Sequence, residues 1–276
     1  AASDVYKRQI LKGTITSDVT LAAGNTYKLS GEYIVEEGGT LHIEEGVKII
    51  AVYDDIADYI LVKQGGKINA VGTPDKPIVM TSEKEEPGAW GGIHICGRAH
   101  TNAEGGKGSS EIGGAVYGGN DDADNSGTLQ YIRLEYTGFA FDEEHEANGI
   151  SFYGVGNGTI VDHCQAYKGS DDGFEFFGGS VNVSNLVAVS CSDDSFDWTE
   201  GWNGKGTNLV AYQEDKSTLG YDCDCLMECD NNGSNNAATP VAHPVLKNLI
   251  LVGNGGSKQG IRLRAGTEVE LSLIHI

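Results

Sequence analysis

A short phrase that occurs twice between residues 170 and 200 constrains the fold more than any other feature of the chain. It reads SDDGFE at 170–175 and SDDSFD at 192–197, so the two copies are 22 residues apart. A period of this length, with apolar residues at alternate positions and without a helical pattern, predicts successive coils of a parallel β-helix. Neighbouring strands lie about 4.8 Å apart, so equivalent side chains of the two copies are expected to form columns.

Other strands follow the same register. A polar turn residue and then alternating apolar residues align five stretches, which are NGISF at 148–152, DGFEF at 172–176, DSFDW at 194–198, DCLM at 224–227 and QGIRL at 259–263. The first three are separated by 24 and 22 residues, and the longer intervals that follow require inserted loops. No stretch has a 3.6-residue period, so we expect an all-β, single-stranded solenoid with coils of roughly 22–24 residues.

Both ends of the chain read as translated adapter DNA. The segment AASDVYKRQ at 1–9 can be encoded by a DNA sequence whose final codons, read as the reverse complement, encode LSLIHI. LSLIHI is the sequence of residues 271–276. Two unrelated tails would not be reverse complements, and this DNA resembles a transposon end used in sequencing libraries. We therefore expect both tails to be non-native and one β-helix domain, a fragment of a longer protein, over 10–270.

The charge of the chain argues against several kinds of partner. The sequence has 40 Asp and Glu against 19 Lys and Arg, a formal net charge of −21. Such a chain repels nucleic acid and anionic membrane surfaces, so we expect neither as a partner. No apolar run is long enough to cross a bilayer, and nothing in the sequence sets the oligomeric state.

The outward side chains of the repeated strands are acidic. Inward-pointing phenylalanines flank Glu175, so Glu175 is expected to point outward, and Asp197 takes the equivalent place one coil later. Ser151 precedes them in this column, and Arg262 follows further along it. Stacked like charges are unfavourable unless a cation, a base or solvent screens them.

Three interpretations of this column remain open. Hard oxygen ligands suit Ca²⁺, so Glu175 and Asp197 can form a metal site. The same two carboxylates, with Arg262, can act as an acid/base set on a glycan. The third interpretation is a solvated acidic face without a ligand.

A second polar column is expected at the turn before these strands. Stacked Asn and Asp side chains at a β-helix turn bond to neighbouring backbone groups and form a structural ladder. We favour this role for Asp172 and Asp194. The aligned members of the column are Asn148, Asp172, Asp194, Asp224 and Gln259.

Aromatic residues beside the acidic column offer a second means of binding. Trp198, Trp202 and Tyr221 lie on or near the repeated strands and can stack on sugar rings. A glycine-rich NGKG segment follows Trp202, so we expect this side chain in an exposed turn. The alternative is aromatic stacking inside the coil, which we favour for the phenylalanines of the repeated strands.

The six cysteines are too few for a disulfide scaffold of this size. Cys223, Cys225 and Cys229 are close enough in sequence to pair or to hold a metal, which leaves both possibilities open. Their spacing lacks the two C-x-x-C pairs of a structural zinc site, so we favour buried thiols.

Several of these phrases together carry a resemblance to a known family. GGNDDADNSGTL at 118–129, SDDGFEFFGG at 170–179, DDSFDW at 193–198 and the opening over 29–47 resemble bacterial exported proteins of the pectin-lyase-like type. These are surface or lipoprotein-type proteins with a right-handed parallel β-helix. The resemblance therefore implies a right-handed coil and an extracellular or outer-surface location, and it supplies no catalytic residue.

Pectin-degrading hydrolases of the polygalacturonase type are the closest enzymatic comparison. Asn148, Asp171-Asp172 and Arg262-Leu263-Arg264 resemble their acidic and basic motifs, but Asp194-Ser195-Phe196 stands where their Gly-His-Gly motif would be. A lyase would instead need Ca²⁺ near an Arg or Lys that removes a proton next to a uronate carboxylate. The candidates for that base are Lys168, Lys205 and Arg262.

These observations predict a secreted or cell-surface β-helix module. We expect it to bind a polysaccharide or another surface component along its acidic and aromatic face, with Ca²⁺ as a stabilising ion. The residues leave its catalytic status open, and we favour a non-catalytic module. The first alternative is a polysaccharide lyase or glycoside hydrolase of the pectin-degrading type, and the second is a structural stalk.

Overall fold

The protein is a right-handed parallel β-helix, as predicted. The computed structural model describes residues 10–54, 56–142 and 145–276. Twenty of its strands form one continuous sheet that winds around a common interior, and all the pairings within that sheet are parallel. Each coil crosses three faces of this sheet, which we call sheets I, II and III.

Sheet I carries the repeated phrase. Its strands are the second halves of β1 (Ile10–Ile15) and β3 (Thr26–Val35), and then β6 (Tyr59–Val62), β9 (Ile93–Cys96), β13 (Ile150–Tyr153), β15 (Phe174–Phe177), β17 (Phe196–Thr199), β19 (Met227–Asp230) and β21 (Ile261–Arg264).

Sheets II and III share long strands that bend at the corner between them. Sheet II begins with β2 (Val19–Leu21), β4 (Thr40–Ile43) and β7 (Lys67–Val71), and sheet III contains β5 (Lys48–Ala51) and β8 (Ile78–Ser82). The bent strands that continue both sheets are β12 (Gly127–Glu135), β14 (Ile160–Tyr167), β16 (Asn182–Val189), β18 (Lys205–Tyr212), β20 (Val245–Val252) and β22 (Glu270–His275).

A single residue in the left-handed region makes each of these bends. Asn185, Asn208 and Asn248 have φ values of 55°, 58° and 61°, a conformation that Asn tolerates better than most residues. The Nδ2 of Asn208 donates to Asn185 Oδ1 at 2.8 Å, and the Nδ2 of Asn248 donates to Asn208 Oδ1 at 2.7 Å. An asparagine ladder therefore holds the corner of successive coils in register.

The interior of the coil is a stack of apolar side chains. Phe152, Phe176 and Trp202 stack face to face, with ring centroids 5.0 Å and 4.1 Å apart. Trp198 and Trp202 are each 1% exposed, so the expected exposed turn at Trp202 is wrong. Its indole N–H donates to the carbonyl oxygen of Val181, and the flat ring fills the space beneath Phe176.

The register predicted for the last two coils was wrong by one residue. Phe196 pairs with Met227, not with Leu226, so these coils are 31 and 34 residues long rather than 30 and 35. The turn ladder explains the shift, because Asp194 accepts its next backbone hydrogen bond from Cys225 instead of Asp224. One extra residue is accommodated in this turn.

A long insertion between β9 and β12 packs onto the outer face of sheet I. It contains a 3₁₀ turn (Glu104–Gly106) and a small antiparallel pair, β10 (Gly108–Ser109) and β11 (Val116–Tyr117). The insertion and sheet I form a second apolar cluster outside the coil, whose members include Ile112, Ala115, Tyr117, Leu61, Tyr153 and Phe177. The insertion therefore covers the part of sheet I that includes Leu61, Tyr153 and Phe177.

The remaining regular structure is small. One turn of α-helix, α1 (Lys216–Leu219), lies in the loop after β18. No helix in the described ranges has the length and apolar character that a membrane span requires. The predicted tail at 1–9 lies outside the described residues, whereas most of the predicted tail at 271–276 forms strand β22 on β20.

Candidate functional site

The predicted column of outward side chains exists on sheet I. Ser151 pairs with Glu175, and Glu175 pairs with Asp197 on the next coil. Glu228 follows Asp197, and Arg262 follows Glu228. Glu228 was missed because of the one-residue register error, although the alternating pattern MECD at 227–230 marks it as an outward residue.

The turn ladder next to this column is confirmed for Asn148, Asp172 and Asp194, whereas Cys225 takes the place expected for Asp224. Asn148 Oδ1 accepts a hydrogen bond from the Asp172 backbone N–H at 3.2 Å. Asp172 Oδ1 accepts from Asp194 N at 2.9 Å, and Asp194 Oδ1 accepts from Cys225 N at 2.6 Å. One carboxylate oxygen of each Asp is thus used by the backbone, and the other oxygen is available to the outward column.

The ladder and the column together build three equivalent triads. Each triad contains one turn residue, the column residue of the same coil and the column residue of the next coil. In the first triad, Asn148 Nδ2 donates to Ser151 Oγ at 3.0 Å and to Glu175 Oε2 at 2.5 Å. The Asn148 amide therefore provides a hydrogen bond to one oxygen of the Glu175 carboxylate.

The second and third triads contain only carboxylates. Asp172, Glu175 and Asp197 each offer an oxygen, and these oxygens lie within 4.8 Å of one another. Asp194, Asp197 and Glu228 form an equivalent set with the same limit. A related group, Asp171, Asp172 and Asp193, adjoins the second triad. We call the outer surface formed by these seven carboxylates the acidic cleft.

Two observations show that the charges of Glu175 and Asp197 in the acidic cleft are poorly compensated. Asp197 Oδ1 is buried and has no hydrogen-bond partner among the residues that the structure describes. Neither Glu175 nor Asp197 has an ion pair with any Lys, Arg or His of the described ranges. A buried carboxylate that lacks a donor or a counter-ion is costly in the ionised state.

Burial is the first cause of raised pKa values throughout the cleft. Desolvation, together with the charges of Asp194 and Glu228, raises the pKa of Asp197 well above its ordinary value. Desolvation and the charges of Glu111 and Asp197 do the same for Glu175. The pKa of Asp194 rises to about 8, again through burial first and then through the charge of Asp193.

The insertion contributes a further acid that sequence spacing does not reveal. Tyr153 OH donates to Glu111 Oε2 at 3.3 Å, which brings Glu111 next to the column on sheet I. Burial raises the pKa of Glu111 to about 7. Glu111 precedes Tyr153 by 42 positions, and only the packing of the insertion on sheet I brings the two together.

The basic end of the column is already paired. Arg262 Nη1 lies 2.8 Å from Glu228 Oε1. Arg264 forms an ion pair with Glu228 and another with Asp230, the latter at 2.7 Å. Glu228 thus separates Arg262 from Asp197 by two strand spacings, roughly 10 Å. Glu175, Asp197 and Arg262 share a column, but Arg262 does not lie against the two acids.

The three predicted aromatic ligands do not form a shared outer face, although Trp198 and Trp202 pack together with ring centroids 5.8 Å apart. Trp198 and Trp202 lie inside the coil, and Trp198 Nε1 donates to Thr267 Oγ1 at 2.9 Å. Tyr221 is partly buried after α1, where its hydroxyl donates to the Ser190 carbonyl oxygen at 2.7 Å. The expected aromatic face is therefore wrong, because Trp198 points inward from β17 and Trp202, from the turn after β17, completes the interior stack.

The cysteines are buried free thiols, in agreement with the interpretation we favoured. Burial raises the pKa of Cys223 to about 11 and that of Cys225 to about 12. Cys225 lies within reach of Asp194 and Asp224, but Cys223 and Cys229 belong to no such group in the described chain. Within the described ranges, the three cysteines therefore do not form a metal site.

Comparison with known proteins agrees with the architecture. No curated protein matches the chain. A family model described as a pectate-lyase like beta helix domain matches residues 13–276, which includes every strand of sheet I after β1 and the whole acidic cleft. The chain therefore belongs to the pectate-lyase-like β-helix domain family.

Proposed function

We propose that this domain is a Ca²⁺-binding module of the cell exterior that binds a polysaccharide through the acidic cleft. The observation that carries the proposal is the repetition of the triad. Asn148 supplies a hydrogen-bond donor in the first triad, whereas acids occupy the equivalent place in the second and third. The second triad therefore needs a proton or a cation at the position of the Asn148 amide, whereas Glu228 of the third triad already forms ion pairs with Arg262 and Arg264.

Calcium fits the donor set of these triads. Ca²⁺ prefers six to eight oxygen ligands at about 2.3–2.6 Å, and carboxylates are its usual protein ligands. The second triad offers Asp172, Glu175 and Asp197, and a bidentate carboxylate can supply two oxygens. Three carboxylates leave part of the coordination shell to other oxygens, such as water or the hydroxyl and carboxylate oxygens of a glycan.

The surroundings of the cleft support binding of a chain-like ligand. The triads repeat along the solenoid axis at the spacing of the coils, so an extended polymer can contact more than one of them. A chain with a net charge of −21 repels an acidic polymer in the absence of cations. Binding of an acidic polysaccharide is therefore expected to depend on Ca²⁺.

Calorimetric titration with Ca²⁺ tests the cation. We expect binding by the unaltered protein and a lower melting temperature in chelator, because a ligand at about 100 times its Kd stabilises the fold by about 2.7 kcal/mol. The variant Asp172→Asn copies the amide of the first triad, so we expect it to bind Ca²⁺ more weakly. Glu86→Gln, an exposed acid paired with Lys84, is the charge-matched control. An unchanged melting temperature in chelator, together with no heat of binding, would remove Ca²⁺ from the proposal.

A second candidate is a polysaccharide lyase or hydrolase. The observation that favours it is the presence of Arg262 at the end of the same column as the acids, with Arg264 two residues further along β21. Their ion pairs with Glu228 and Asp230 argue against either as a free base. Incubation with polygalacturonate, with and without Ca²⁺, decides between the candidates by measuring unsaturated products and new reducing ends.

We expect retention on immobilised polygalacturonate in Ca²⁺ without turnover. Turnover that is lost in Arg262→Ala would favour the enzyme. Neither retention nor turnover on a wider glycan panel would favour a structural stalk.

A further inference from the structure

We propose that a separate cavity beside the acidic cleft binds an amino-sugar unit of a glycan. The cavity has a volume of about 660 Å³ and lies between the start of the insertion and the loop after β19. Its polar lining includes Asn102, Glu104, Thr199, Glu200, Asn232 and Asn235. This volume is within the range of small-molecule sites, about 300–1,000 Å³.

Glu200 is held in one orientation at the edge of this cavity. Its Oε2 accepts hydrogen bonds from Thr101 Oγ1 and from Tyr117 OH, both at 2.7 Å. Its Oε1 has no hydrogen-bond partner among the described residues. The backbone of Glu200 is in the left-handed region, with φ of 54°, which is uncommon for a residue with a long side chain. A fixed carboxylate with one free oxygen can receive a donor from a ligand.

Amide groups form a rigid wall on the other side of the cavity. Asn102 Nδ2 donates to the side-chain oxygen of Asn231 at 2.8 Å, and Asn231 is fully buried. Asn232 Nδ2 donates to Asn102 Oδ1 at 3.0 Å. These contacts link the insertion to the loop after β19, so the wall is formed before a ligand arrives. Preorganised groups lose less entropy on binding.

The charge of the lining selects the class of ligand. Glu104 and Glu200 are both acidic, and the lining contains no Lys, Arg or His. The Glu104 carboxylate makes no hydrogen bond or ion pair in the described part of the chain. An anionic sugar is therefore disfavoured, whereas a protonated amine gains charge-assisted hydrogen bonds. The amides and Thr199 can bond to sugar hydroxyls.

This cavity is distinct from the Ca²⁺ triads but opens next to them. Thr199 follows Asp197 by two residues on β17, so both side chains point outward from the same strand, roughly 7 Å apart. None of the triad residues belongs to the lining. Binding in the cavity needs no cation, so it is independent of the proposed function.

Calorimetric titration in chelator tests the inference. The probes are a β-1,4-linked glucosamine trimer, maltotriose and trigalacturonate, at a pH where the amine is protonated. We expect the glucosamine trimer to bind most tightly and trigalacturonate not to bind. Glu104→Gln and Glu200→Gln are each expected to weaken glucosamine binding about tenfold, since each removes a charge-assisted hydrogen bond. Glu104→Gln removes no hydrogen bond or ion pair between described residues.

Two controls separate this site from the cleft. Glu86→Gln changes the net charge equally and is expected to leave glucosamine binding unchanged. Asp172→Asn is expected to alter Ca²⁺ binding without altering glucosamine binding. The inference is overturned if the trimer does not bind, if maltotriose or trigalacturonate binds as tightly, or if both lining variants bind like the unaltered protein.

Discussion

Asn148 Nδ2 lies 2.5 Å from Glu175 Oε2 and donates a hydrogen bond to it. The second and third triads have an acid in place of this amide donor. One coil further, Asp172 takes the place of Asn148 beside Asp197, and the Oδ1 of Asp197 is buried with no hydrogen-bond partner in the described part of the chain. The Asn148 amide stabilises the Glu175 carboxylate on the side of the first triad, and the side that faces Asp197 has no such donor. The same geometry thus occurs with a donor in one coil and without one in the next.

Replacing Asp172 by Asn is expected to stabilise the protein in the absence of cations. The new amide keeps the oxygen that accepts from Asp194 N and adds a donor toward Asp197. We expect a gain of about 1–2 kcal/mol at pH 8 in chelator, since one pKa unit corresponds to about 1.4 kcal/mol. Urea denaturation of the variant and of Glu86→Gln measures it. A variant that is less stable than the unaltered protein in chelator contradicts the triad interpretation.

The pH dependence of stability follows from the raised pKa values in the cleft. Burial raises the pKa values of Asp171 and Asp194 to about 8, and their ordinary value is 3.8. The folded state therefore holds protons that the unfolded state releases. The contribution of these bound protons to the free energy of unfolding is complete below pH 4 and is lost as the pH rises through 8. Each such proton is worth about 1.4 kcal/mol per pH unit inside this window.

Melting curves between pH 5 and pH 8 check this sign. In chelator we expect the melting temperature to fall as the pH rises, and with Ca²⁺ we expect a smaller fall, because a cation replaces the protons. Asp172→Asn with Asp194→Asn should flatten the profile in chelator. A melting temperature that rises over this range in chelator would show that the cleft carboxylates are ionised at little cost.

Asn208 is expected to be important at the corner between sheets II and III. Its side chain both donates to Asn185 and accepts from Asn248, and its φ is 58°. Asn208→Ala removes two hydrogen bonds and places Ala in the left-handed region, so we expect a loss of about 2–4 kcal/mol. Asn208→Gly is the matched comparison, since Gly accepts this φ, and we expect a smaller loss. Equal losses would assign the whole effect to the hydrogen bonds.

The tryptophans are expected to act as core residues. All three, Trp90, Trp198 and Trp202, are at most 1% exposed, so acrylamide should quench the native fluorescence weakly and the unfolded fluorescence strongly. Trp202→Ala is expected to cost about 3–5 kcal/mol, because it leaves a large cavity against Phe176. Strong native quenching that is reduced by a glycan would instead support the aromatic binding face that we predicted from the sequence.

Much of the architecture was predictable because a solenoid repeats locally. The 22-residue period and the strand alternation together predicted the pairing of Glu175 with Asp197 and the turn ladder of Asp172 and Asp194. Glu228 was missed because a turn residue was used to set the register, and turns accept an extra residue more easily than strands do. The inward position of Trp202 was missed because it lies outside a strand, where alternation does not apply.

The sequence by itself determined the coil, its period and the face on which the acids stack, because these depend on residues close in the chain. Only the tertiary structure decided the environment of those acids. Glu111 arrives from an insertion, and Tyr117 of the same insertion fixes Glu200 across 83 positions. The insertion packs against sheet I beside the column, and Glu175 and Asp197 are only partly exposed, so their charges must be balanced. Burial depends on packing between residues that are far apart in the chain, so it cannot be predicted from a local sequence repeat.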